Sequence, residues 1–226
     1  MRAHLAKLRF TAAALMVLGA GIVGAARAED AAVQNCTWCH GSGAQGYTPA
    51  PRLAGQRAAY LRSQLLRFRT HGRNAPVARQ YMWSAADNLS DGRLRALADY
   101  FASLAPRPAM DGNAAQAAPG RAIYQNGLPD ENIVACVACH GPDAQGVGAI
   151  PRLGGLSYDY LVRRLRDWQA GYNSAGARPM PHIAGNLSPA QIDALASYLS
   201  FMPSAGVRER GGPTRLTGSL PVADRR

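Results

Sequence analysis

Lysine is almost absent from this chain. Lys7 is the only one, and the other 24 of its 25 basic residues are arginines. Cysteine is scarce as well: four in 226 residues are too few for a disulfide-dense scaffold of this size. Charged residues make up only 17% and hydrophobic ones 47%, a balance that argues for a globular protein and against wholesale disorder. No alternating run of polar and apolar residues marks a strand. The formal net charge of +11 raises nucleic-acid binding as a class. However, the arginines are scattered over predicted helices with no basic stripe or reading motif, so no nucleic-acid partner is expected.

The N-terminus carries a targeting pattern. Arg2, Lys7 and Arg9 precede 17 uncharged residues, Phe10 to Ala26, which lead to Ala26-Arg27-Ala28 and then Glu29-Asp30. A basic n-region, an apolar stretch and an A-x-A site read as a cleaved secretory signal over residues 1–28, so the periplasm is the expected compartment. Left uncleaved, the same stretch would anchor the chain in a membrane, although it is at the short limit for a span and rich in Ala and Gly. Cleavage after Ala28 removes four basic residues and leaves 21 against 14 acids, or +7.

The remainder repeats itself. Residues 36–46 read CTWCHGSGAQG and residues 136–146 read CVACHGPDAQG; Pro51-Arg52-Leu53 recurs as Pro151-Arg152-Leu153, and Tyr60-Leu61 as Tyr160-Leu161. Farther on the offset falls from 100 to 98, so that Met82 answers Met180 and Asn88-Leu89-Ser90 answers Asn186-Leu187-Ser188. Matches in this order indicate a duplicated domain. Apolar residues at three- and four-residue spacing predict helices over 57–69 and 157–168, and closing helices capped by Ser90 and Ser188. Ser188-Pro189-Ala190-Gln191 combines an N-cap serine, a proline at the first helical position and a capping-box glutamine. The expected division is residues 29–105, a Pro-, Gly- and Ala-rich linker over 106–119, residues 120–203, and a basic, disordered tail over 204–226.

Cys36-Thr37-Trp38-Cys39-His40 and Cys136-Val137-Ala138-Cys139-His140 are both C-x-x-C-H sequences, the c-type haem attachment pattern. Cysteines three residues apart share one face of a helical turn and can both reach the vinyl groups of one haem. The following histidine is directed at the iron. A zinc site would draw four ligands from both pairs at once and gives no reason for a histidine after each second cysteine. A thioredoxin-like pair would sit in a βαβ pattern, which is missing. The expected cofactors are therefore two covalently bound haem c groups, with Cys36, Cys39, Cys136 and Cys139 as thioether donors and His40 and His140 as iron ligands. For the sixth ligands the repeat favours Met82 and Met180, each just ahead of a closing helix. His71, whose counterpart is Gly171, and His182, two residues beyond Met180, are the rivals.

These motifs, with PRLAGQ at 51–56, YLRSQL at 60–65, HGRN at 71–74 and the stretch from Met82 to Asp91, resemble the di-haem cytochrome c4 family. The resemblance implies an all-α chain of two tandem class I cytochrome c domains, each wrapped round one covalently attached haem. It implies that the Pro51 and Pro151 carbonyls hydrogen-bond the outer ring nitrogens of His40 and His140. It also implies periplasmic electron transfer between a respiratory donor and an acceptor such as a terminal oxidase, with an oxidase, a cytochrome complex or a dehydrogenase as redox partner.

Two alternatives stay open: a subunit held permanently in a dehydrogenase or oxidase complex, and a di-haem peroxidase-like enzyme. Arg57, Arg73, Arg152 and Arg178 are candidates to pair with haem propionates, although each reads more simply as a surface arginine. Only seven residues of the mature chain precede Cys36, so the first copy's opening helix is truncated, which exposes its haem or leaves a surface for a partner. The tail carries five arginines against two acids and suits a solvated segment, with peripheral association to an anionic surface as the sharper reading. The chain is expected to be a monomer or a complex subunit.

Overall fold

In the computed structural model, residues 32–172 and 179–203 are described. The signal segment, Arg178 and the basic tail lie outside them. Among the described residues the fold is helical, with no strands and three isolated β-bridges. The first copy contributes α1 (residues 32–40), α2 (Ala58–Arg69), α3 (Pro76–Ala86) and α4 (Asp91–Ser103). The second contributes α5 (Ala114–Asn126), α6 (Val137–His140), α7 (Tyr158–Gln169), α8 (Met180–Gly185) and α9 (Pro189–Phe201), with a short 3-10 turn at Pro129–Glu131. No described helix is long and apolar enough to cross a membrane.

The helix signals act as the residue chemistry requires. Ser90 accepts a hydrogen bond from the Arg93 amide at the start of α4, and Ser188 with Gln191 closes a full capping box at α9, each relieving amide donors that have no partner within the helix. The linker composition of 106–119 ends in a helix: α5 starts at Ala114, where the Asn113 side chain accepts from the Ala115 amide. Pro119 lies inside that helix, and Gly120 beside it explains why the helix is retained. A Cβ at Gly120 would lie 1.9 Å from the Ala194 carbonyl oxygen, so α5 crosses α9 with the backbones in contact, and only glycine fits there.

The two copies bury their apolar residues differently. In the second copy one continuous cluster joins α5, α7 and α9, from Ile123 and Tyr124 through Leu161 and Leu165 to Ile192 and Leu199. In the first copy the core is split. One cluster is built from Leu61, Leu97 and Phe101, the other from Phe68, Ala75, Ala78 and Ala86. Gly120→Ala should cost the second copy about 1–3 kcal/mol through overpacking, seen as a lower midpoint in thermal unfolding. Gly92→Ala on exposed α4, where the nearest atom to a new Cβ is 3.9 Å away, should be neutral or slightly stabilising.

Candidate functional site

The space that divides the first copy's core is a cavity of 770 Å³, and Cys36, Cys39, His40, Pro51 and Met82 all line it. Its walls include Leu61, Phe68, Leu97 and Phe101, so it is an apolar chamber with few polar groups, of a size suited to a large planar cofactor. His40 is buried at the end of α1. Its Nδ1 donates to the Pro51 carbonyl at 2.6 Å, which leaves Nε2 as the nitrogen with a free lone pair. Burial pulls the His40 pKa down against the opposing effect of that carbonyl, so the ring is kept neutral and able to act as a ligand. In the second copy the buried His140 ring donates from Nδ1 to the Pro151 carbonyl at 3.0 Å, and its pKa is likewise lowered by burial.

Cys36 and Cys39 lie within α1, Cys136 caps the N-terminus of α6 and Cys139 lies within it. Cys36 and Cys136 are half-buried, Cys39 and Cys139 are exposed, and none is in a disulfide. Burial pushes the Cys36 and Cys136 thiols up to about 11, so both are neutral thiols at ordinary pH. Among the described residues no group of three or more His, Cys, Asp or Glu side chains is placed to hold a bare metal ion.

Of the sixth-ligand candidates, Met82 shares the cavity with His40. His71 is turned to the surface, stacked on Trp83 with ring centroids 4.0 Å apart and 3.1 Å from Asp87. Met180 opens α8 and packs against the second core cluster, while His182 on the same helix is exposed.

The copies are stitched together through their repeated P-R-L segments, a feature that sequence reasoning missed. Arg52 donates from Nη1 to the Gly155 carbonyl and from Nη2 to the Gly154 carbonyl, both at 2.7 Å, and also to the Arg107 carbonyl. Arg152 answers by donating from Nε to the Gly55 carbonyl at 2.9 Å. Gln56 brackets Arg152, accepting from its amide at 2.7 Å and donating to its carbonyl at 2.9 Å. Arg163 donates to the Pro49 carbonyl at 2.6 Å. Arg73 and Arg152, expected at the surface, are buried, Arg152 at the interface where its Nε donates to Gly55.

Side chains of the second copy complete the first copy's cavity. Tyr160, Arg163, Arg164 and Asp167 line it beside Tyr60 and Arg73. Arg73 donates to Gln64 at 3.0 Å and to Tyr160 at 3.4 Å, while its buried Nε has no partner. Arg164 lies 4.3 Å above the Trp168 ring, with Nε and Nη1 buried and unpartnered. Burial lowers the Arg164 pKa to about 10 and raises that of Tyr60 to about 12, so the guanidinium is charged and the phenol neutral near pH 7. Two buried cations with open donors face a cavity with one acid, Asp167, on its wall. Such a site fits a cofactor that combines a large apolar plane with carboxylate groups, as haem does. A repeat-wide comparison of arginines would have flagged Arg52 with Arg152; Arg164 has no arginine at the equivalent position, Gln64, and carried no such signal.

Comparison with known proteins agrees with this geometry. Residues 117–202 match the family described as Cytochrome c, and residues 24–101 match that described as Cytochrome C oxidase, cbb3-type, subunit III. The chain is 34% identical to a cytochrome c4 of Pseudomonas aeruginosa over 82% of this chain and 94% of that one. It is 38% identical to a thiosulfate dehydrogenase electron acceptor of Stutzerimonas stutzeri, over 80% and 83% respectively. A solved cytochrome c4 of Acidithiobacillus ferrooxidans superposes with a TM-score of 0.69 at 37% identity, covering 74% of this chain and 98% of that one. Exported in a host that attaches haem c, the wild-type chain should carry two haems by pyridine haemochrome assay. Replacing both cysteines of either motif by alanine should leave one.

Proposed function

Because the chain belongs to the di-haem cytochrome c4 family and is an electron-transfer protein with two covalently bound haem c groups, we propose that it carries single electrons in the periplasm from a respiratory donor to an acceptor such as a terminal oxidase. The observation that carries this reading is the first copy's cavity, where a buried neutral histidine, two cysteines and a methionine meet in an apolar chamber. When bound, each haem supplies a one-electron couple.

The chain's residues do the rest. Cys36 and Cys39, and Cys136 and Cys139, tether the two groups through thioethers. His40 with Met82, and His140 with Met180, would ligate the iron of each haem, a ligand set suited to electron transfer. The hydrogen bonds to the Pro51 and Pro151 carbonyls fix each imidazole and strengthen it as a donor. Arg73 and Arg164 bind the carboxylates of the first haem. We assign the two haem domains to residues 29–105 and 120–203, joined by 106–119 and exported by a signal over 1–28. The peroxidase-like alternative gives way to the electron-transfer assignment of the family.

A second reading is supported by the 38% identity to a thiosulfate dehydrogenase electron acceptor: the chain accepts electrons from a dehydrogenase that holds it as a partner. Reduction by many unrelated redox proteins and a monomeric holoprotein would favour the free carrier, whereas co-purification with one dehydrogenase would favour the subunit. For the ligands, the oxidised holoprotein should show the near-infrared methionine–iron charge-transfer band. Met82→Ala and Met180→Ala should each remove about half of it, the share of one haem in two. An undiminished band in Met180→Ala would move the ligation to His182 or another residue.

A further inference from the structure

Three large aromatic residues stand in the open around the first copy's cavity. Trp38 is 83% exposed, Tyr47 54% and Tyr81 50%. Tyr47 and Tyr81 line the cavity and are exposed, and the Tyr47 hydroxyl donates to the Trp38 carbonyl at 3.1 Å, beside Cys39. The second copy has nothing of the kind, since the repeat places Ala138, Val147 and Pro179 at the same positions. Exposed apolar surface marks interaction sites, and aromatic residues with arginine are enriched at the centres of interfaces.

Charge divides the copies in the same way. Residues 32–105 hold nine arginines against three aspartates, or +6, while residues 106–203 hold seven arginines against seven acids, or zero. Arg93 also lines the cavity and is exposed, and Arg79 is exposed on the helix that carries Tyr81. Among the described residues neither forms an ion pair, although Arg79 lies 5.8 Å over the Trp83 ring, whereas Arg62 and Arg69 of the same copy do. The occupant of this surface must therefore be acidic. That disfavours a second copy, whose own surface here is equally basic. It also disfavours the residues after Pro203, where five arginines outnumber two acids.

We propose that Trp38, Tyr47 and Tyr81, flanked by Arg79 and Arg93, form the docking surface for an acidic redox protein, and that electrons are exchanged with that partner through the first copy. One electron passes between the partner's metal centre and the first haem, one being oxidised as the other is reduced, and no atom is transferred. This rests on the electron-carrier reading above.

The test is stopped-flow reduction of the oxidised holoprotein by an acidic blue-copper protein in its reduced state, over a range of ionic strength. Arg79→Glu with Arg93→Glu should slow the second-order rate about tenfold at low salt and flatten its salt dependence, the behaviour of steered association. Tyr81→Ser should slow it about threefold with the salt slope unchanged, the loss of one interface contact. Arg121→Glu with Arg166→Glu, both exposed in the second copy, should leave the rate within about twofold of wild type. Equal slowing by the second-copy pair, or unchanged rates in both first-copy variants, would overturn the assignment. So would binding to phosphatidylglycerol vesicles that the Arg79/Arg93 variant loses while its protein-to-protein rate is unchanged. Dithionite should reduce both haems in every variant; if it fails with the wild type, the electron-carrier reading falls instead.

Discussion

Arg52 and Arg152 occupy equivalent places one hundred residues apart, and each guanidinium crosses to the other copy to find carbonyl partners. Taking a guanidinium out of water costs several kcal/mol and is offset only where hydrogen bonds replace the lost water. The glycine carbonyls at 55, 154 and 155 supply those bonds, and they in turn are buried groups that need donors. With Arg152 only 1% exposed, the exchange permits little sliding of one copy on the other. It therefore fixes how the two copies meet.

That fixed docking gives the first copy's cavity a wall that the first copy does not encode. Tyr160, Arg164 and Asp167 reach the cavity from α7 because the neighbouring P-R-L segment is held across the interface. The chamber consequently has an apolar interior and a cationic rim of Arg73 and Arg164, on which Arg73 Nε and Arg164 Nε and Nη1 have no hydrogen-bond partner among the described residues. Unpaired buried cations are expensive in an empty chamber and favourable beside carboxylates. Members of both small apolar clusters line this chamber.

How much of this could be read beforehand follows from where each signal resides. The haem motifs, the duplication and helices α2, α4, α7 and α9 were legible because local spacing and capping residues specify them. Helix α3 was not, since only Ala78 and Ala86 are buried against protein. Its real stripe is Val77, Ala78, Tyr81, Met82 and Ala85, which lines the cavity at helical spacing and includes polar and exposed members. The start of α5 was hidden by composition: Pro119-Gly120 reads as a linker end, and only the backbone contact with Ala194 shows why a helix there needs glycine. Arg152 was read as a surface residue because one copy's sequence says nothing of what the other presents to it.

Duplication makes the differences between the copies as informative as their agreement. Where both copies retain a residue, as in the C-x-x-C-H motifs and the P-R-L segments, the requirement is common to both: hold a haem and meet the other copy. Where they diverge, the common requirement is already satisfied and another constraint has acted. The second copy has α5 packed across α9 and one closed apolar core, with no net charge over residues 106–203. The first has no such leading helix among its described residues, and Tyr47, Tyr81 and Arg93, which line its cavity, are exposed. Exposed aromatic area costs solvation free energy in the isolated chain, and like charges gathered on one face repel. Neither helps the first copy to fold. Both are explained if that face spends part of its time covered.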